Sequence, residues 1–159
     1  MFTSKQIANY FIRVSLSTGE PLTPMKLVKL VYIAHGWHLG LYNKPLISEA
    51  VCAWKYGPVI ESVYHVFKKY GSNQITAYYQ DEEGKYPLPE GNVTIFLDSV
   101  WNAYKEFDGI YLSSITHMEG TPWDIVWNRQ GGKHHRSILI PNNLIEKHYR
   151  ELAHGQKNT

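Results

Sequence analysis

The chain has 159 residues, 43% hydrophobic and 19% charged, with a formal net charge of +2 and one cysteine. A chain of that length and hydrophobicity can bury roughly two-thirds of its unfolded surface as one domain, which excludes an intrinsically disordered protein. The densest cationic patch is only Lys133-His134-His135-Arg136, which argues against a nucleic-acid partner, and Cys52 alone excludes an internal disulfide framework.

The first helix is expected over Ser4 to Ser17, capped by Thr3 or Ser4, with Ile7, Phe11 and Val14 at helical spacing and Gly19 ending it. Thr23-Pro24 pairs a capping hydroxyl with a proline where no amide hydrogen is needed, so a second helix starts there and runs to about Tyr42. Its Leu27, Val28, Leu30, Val31, Ile33 and Ala34 are apolar on more than one face, as in a central helix, with Lys26 and Lys29 expected on the wetter side.

Asn43-Lys44-Pro45 reads as a turn, and Leu46-Ile47 and Ala50 to Trp54 as short strands. Pro58 is expected to start a third helix carrying Val59, Val63 and Phe67, closed by Gly71. Residues 72–91 are the least regular part and read as a hairpin or loop within the same domain, with an exposed turn at Asp81-Glu82-Glu83-Gly84.

Val93, Phe96, Leu97, Val100, Tyr104 and Phe107 give a fourth helical face that Gly109 is expected to end, followed by a short helix from about Ser113 to Met118. Thr121-Pro122 repeats the earlier start signal and sends Trp123, Val126 and Trp127 toward the core. Gln130-Gly131-Gly132 is a break, and Pro141-Asn142 opens a last helix with Leu144, Ile145, His148, Tyr149 and Leu152 as its buried stripe. The sum is a mainly α, single compact domain over residues 1–159. It has six or seven helices, a small β-hairpin or two- to three-stranded element, a core over 5–150 and a flexible tail over 154–159.

Chemistry is sparse. His35 and His38 share a helix at spacing three, but no HExxH or convincing third ligand accompanies them, so both are expected as surface or capping-layer histidines. Gly131-Gly132-Lys133 lacks the spacing of a phosphate loop, and no nucleophile elbow is present. Catalytic, cofactor and metal residues are therefore expected to be none. The N-terminus lacks signal-peptide architecture and no apolar run approaches the ~20 residues of a membrane span, so the expected location is the cytoplasm, away from membranes.

Two segments are unusual. Ala53-Trp54-Lys55-Tyr56-Gly57-Pro58-Val59 crowds rings, glycine and proline into a turn, and Thr116-His117 leads into Pro122-Trp123. Both read first as structure, with His117 hydrogen-bonded to backbone; a functional histidine at a helix boundary is the alternative.

The series Met25 to Leu39, then Ala53 to Val59 with Val63-Tyr64, then Thr116-His117 and Pro122-Trp123, resembles the Panacea domain of SocA-type antitoxins and of phage-associated GepA proteins. The resemblance covers roughly residues 5–150. It implies a largely helical antitoxin module that binds and neutralises a protein toxin encoded nearby. Neutralisation would follow from occlusion or from acting as an adaptor to a cytoplasmic AAA+ protease.

On that reading Leu27, Leu30, Tyr32, Trp54, Gly57, Pro58, Val59, Tyr64, His117, Pro122 and Trp123 are scaffold. Tyr78, Tyr79 and Tyr86 form a partner-contacting loop, with Trp37, His38 and Tyr56 as a second candidate. The competing readings are a prophage-associated protein without a toxin partner, and a small hydrolase built on His35, His38 and His117.

Overall fold

A computed structural model describes residues 1–155. Helix α1 spans Ser4–Thr18; a full capping box joins Thr3 and Gln6, and Gly19 ends the helix in the left-handed conformation. Helix α2 spans Pro24–Tyr42, with Thr23 capping the Lys26 amide and Asn43 turning left-handed at its end. It is buried over most of its circumference, including Leu27, Leu30, Tyr32 and Ile33. Each fully buried residue of that size contributes about 1.5–3 kcal/mol, which makes α2 the axis of the core.

Lys26 and Lys29 do not lie on a wet side of α2. Both are buried: Lys26 Nζ donates to the Lys105 carbonyl, and Lys29 Nζ donates to the Pro58 carbonyl at 2.8 Å. At these positions α2 is enclosed by its neighbours and has no solvated side to offer them.

The β element is a three-stranded antiparallel sheet of β1 (Val51–Trp54), β2 (Gly57–Val59) and β3 (Ile138–Ile140), ordered β2-β1-β3. Pro58 therefore lies in a strand, opposite Ala53, and does not start a helix. As an edge position, β2 loses nothing through the missing proline amide hydrogen. Gly57, at φ +121°, supplies the backbone conformation that closes the two-residue turn at Lys55-Tyr56. Helix α3 (Glu61–Phe67) begins three residues after Pro58, buries Val63 and Phe67, and continues as a 3-10 turn to Tyr70 before Gly71.

Residues 72–91 form no strand. They lie over α1 as a loop, held where the buried Asn9 side chain accepts from the Tyr79 amide and donates to the carbonyls of Tyr79 and Pro87. Helix α4 spans Val93–Tyr104 and buries Leu97, Val100 and Trp101.

Gly109 opens the next helix and does not end the previous one. Helix α5 is Gly109–Thr116, capped by Asp108 on the Tyr111 amide, and begins four residues earlier than the apolar pattern suggests. A β-carbon on Gly109 would fall 2.9 Å from the Lys26 amide nitrogen, so the residue permits α5 to abut α2.

Thr121 caps α6 (Pro122–Asp124), which passes into a π-helical turn at Ile125–Arg129. Helix α7 (Asn142–Ala153) buries Ile145 and Tyr149 against α2. His154 and Gly155, the start of the expected tail, still bond back to α7, and the rest of that tail lies outside the described residues. The fold is thus mainly α, with seven helices and one small sheet among the described residues.

Candidate functional site

A cleft of about 740 Å³ opens where the sheet meets the first half of α2. The hairpin turn brings Trp54, Lys55 and Tyr56; α2 brings Met25, Val28 and Lys29; α3 and its 3-10 extension bring Tyr64 and Lys68. The π-helical turn contributes Trp127, and the loop into β3 contributes His135 and Arg136. The extra residue of a π turn shifts the positions that follow it, a device common at functional sites. Here Trp123 points into the core and donates from its indole nitrogen to the Trp54 carbonyl at 2.6 Å, while Trp127 stacks on it with ring centroids 5.6 Å apart and faces the cleft.

The electrostatics of this cleft are one-sided. Five of its lining residues, Lys29, Lys55, Lys68, His135 and Arg136, are basic, and none is acidic. Burial lowers the Lys29 pKa from 10.5 to about 7, and no carboxylate pairs with it among the described residues.

A second cleft of about 440 Å³ lies between the end of α2 and α4, lined by Trp37, Leu41, Tyr42, Ile95, Phe96 and Tyr104 among others. Trp37 donates from its indole nitrogen to the Tyr104 hydroxyl at 2.8 Å. His38 bonds the Lys44 carbonyl through Nδ1 and packs edge-on against Tyr42 and Phe96.

Trp37 and His38 are therefore separate from Tyr56, which belongs to the first cleft. Trp37 sits eight residues beyond Lys29 on α2, roughly 12 Å along the helix axis. The rings of Tyr78 and Tyr86 are 5.2 Å apart, while the Tyr79 ring has Lys5 over it at 4.6 Å.

Of the residues expected as scaffold, Leu27, Leu30, Tyr32, Gly57, Pro58, Val59, Pro122 and Trp123 are buried. Trp54 and Tyr64 are partly exposed instead, their rings 4.9 Å apart in the wall of the first cleft.

The histidines are not a surface pair. His35 is fully buried, its Nδ1 accepting from the Leu46 and Ile47 amides at 3.3 and 3.4 Å and its Nε2 facing Asn142 Oδ1 at 3.0 Å. Burial lowers its pKa, partly opposed by the Asn142 bond, so it stays neutral. His117 is half-buried, with Nδ1 against the Ser113 carbonyl and its ring against Trp123. None of His35, His38 and His117 lines either cleft. Among the described residues no three histidine, cysteine or acidic side chains are grouped to hold a metal, and no helix is long and apolar enough to cross a membrane.

Lys29, Lys68, Trp127 and Arg136 were not legible as a group. The one signal was a lysine inside the run Leu27 to Ala34, on a helix with no hydrophilic face.

The helical frame thus carries a three-stranded sheet whose hairpin turn is packed with aromatic residues. The profile of the family described as Antitoxin SocA-like, Panacea domain, matches residues 27–124, more than half of the chain, and the protein belongs to that family. It is similar to antitoxin SocA of Caulobacter vibrioides (strain NA1000 / CB15N): the two are 26% identical over 154 residues, covering 92% of this chain and 82% of that protein. No solved structure matches the chain.

Proposed function

We propose that this protein is an antitoxin that binds and neutralises a protein toxin encoded beside its own gene. The observation that carries the reading is the family match from α2 through the β1–β2 hairpin to the end of α6, joined by similarity to a protein named as an antitoxin over most of both chains. The surfaces suit binding. Aromatic rings and arginine dominate the energetics of protein interfaces, and the first cleft offers Trp54, Tyr56, Tyr64, Trp127 and Arg136. The protein acts by association in the cytoplasm and performs no catalysis of its own.

Co-expression tests this. The neighbouring gene product, induced alone, arrests growth, and this protein restores it; a neighbour that is harmless when induced alone refutes the reading. Repeating the rescue in cells lacking cytoplasmic AAA+ proteases separates the two routes. Rescue persists if the antitoxin occludes the toxin and disappears if it delivers the toxin for degradation.

A further inference from the structure

The cleft beside the hairpin turn combines two features that point to one kind of occupant. Its floor holds a lysine that is 4% exposed, lines the open space, and has a single hydrogen bond, to a carbonyl, among the described residues. An ammonium group can donate three bonds, so Lys29 retains donors for a guest. Buried cations normally have a carboxylate partner, and none of the described carboxylates provides one.

The rim repeats the charge. Lys55, Lys68 and Arg136 are exposed and come from three different segments. Between them lie the rings of Trp54, Tyr56, Tyr64 and Trp127, with Tyr56 64% exposed.

We propose that this cleft docks an acidic segment of the partner polypeptide that carries apolar or aromatic side chains between its carboxylates, with one carboxylate seated on Lys29. Charge complementarity selects this occupant. A single small anion would answer Lys29 alone, whereas cations spread around an open aromatic trough match carboxylates repeated along a chain. The apolar side chains between them fill the space against the tryptophans, and carboxylate contact with Arg136 is of the bidentate type. The proposal rests on the antitoxin reading for the identity of the partner, but the chemistry of the cleft can be tested without it.

The probe is a fluorescein-labelled hexapeptide alternating glutamate and phenylalanine, compared by fluorescence anisotropy with the same peptide carrying glutamine for glutamate. The glutamate peptide binds at least about tenfold more tightly at low ionic strength, and its advantage shrinks as salt is raised. Lys29→Met weakens it by about thirtyfold, as expected when one partner of a buried charge pair is removed. Arg136→Gln and Lys68→Gln weaken it by about two- to threefold each, as exposed pairs do.

Equal binding of the two peptides overturns the proposal, and so does competition by phenylacetate at the peptide's own affinity, which would make this a small-carboxylate site. Should Lys29→Met not fold, as circular dichroism would show, the triple variant Lys55→Gln, Lys68→Gln, Arg136→Gln decides, because all three side chains are exposed. Growth rescue separates this result from the broader reading. A triple variant that loses the peptide yet rescues fully overturns the cleft as the docking site while the antitoxin stands. A harmless neighbour refutes the antitoxin while peptide binding is still read in the tube.

Discussion

The ring of Tyr149 on α7 lies so close to Gly36 on α2 that a β-carbon at position 36 would fall 2.2 Å from it. Gly40, one turn further along, meets the Tyr149 backbone in the same way, with an ideal β-carbon 2.7 Å from its carbonyl carbon. Two glycines at this spacing let the last helix sit directly on the axis of the fold. Tyr149 is buried and cannot swing aside, so Gly36→Ala overpacks the contact and destabilises the protein by about 3 kcal/mol or more. Gly19→Ala, which adds a methyl group into open space at a left-handed helix end, is the control and costs about 1 kcal/mol. Urea unfolding followed by circular dichroism compares them.

Lys29 makes the fold sensitive to alkaline pH in an unusual direction. Its pKa falls from the ordinary 10.5 of an exposed lysine to about 7 when buried. Below about pH 7 the amine is charged in both states and the full cost of burying it is present; between about pH 7 and 10 the unfolded chain holds more protons, so stability rises with pH. Lys29→Met removes that slope while Lys55, Lys68, His135, Arg136, Tyr56 and Tyr64 stay the same in both proteins. From neutral to alkaline pH, the unfolding free energy of the wild type therefore gains on the order of 3 kcal/mol over the variant. Parallel pH-dependent urea titrations check this, and a constant difference would contradict the assignment.

Acid acts through His35. Its pKa is lowered mainly by burial, so the stability of the neutral ring is complete above about pH 6.5 and is lost as pH falls below that value. His35→Leu removes this response and leaves the Leu46 and Ile47 amides without their acceptor, at a cost of about 2–3 kcal/mol at neutral pH. Glu49 responds lower down. Despite burial, its hydrogen bonds from Ser4 depress its pKa below 4.5, so its contribution disappears only in stronger acid. Thermal unfolding from pH 7 to pH 3 separates the two steps.

Cys52 is buried, and burial together with Glu61 pushes its thiol pKa up to about 11. The folded protein therefore resists iodoacetamide at pH 8, whereas the urea-unfolded chain is alkylated readily, as intact mass shows.

Local chemistry was legible in the sequence where it acts locally. Thr23-Pro24 and Thr121-Pro122 start helices as their caps predict, and the Gly19 and Asn43 turns fall where expected. Pro58 and Gly109 misled because each can stop or start an element. Pairing of Ala53 with Pro58 made the first a strand, and the Asp108 cap made the second a helix start. The cleft was hidden for a related reason. Arg136 reaches the hairpin turn only because β3 pairs with β1 across more than eighty residues of sequence, and Lys29 is buried where α2 meets the Pro58 carbonyl of β2.

The seating of α7 against α2 also sets an order of events in the cell. During synthesis α2 emerges early, yet part of its apolar surface has no cover until residues 142–153 leave the ribosome. Until then the nascent chain displays the kind of strip that chaperones hold and proteases seize. A message cut short before α7 would yield a polypeptide destined for disposal, so the supply of active protein follows completed translation.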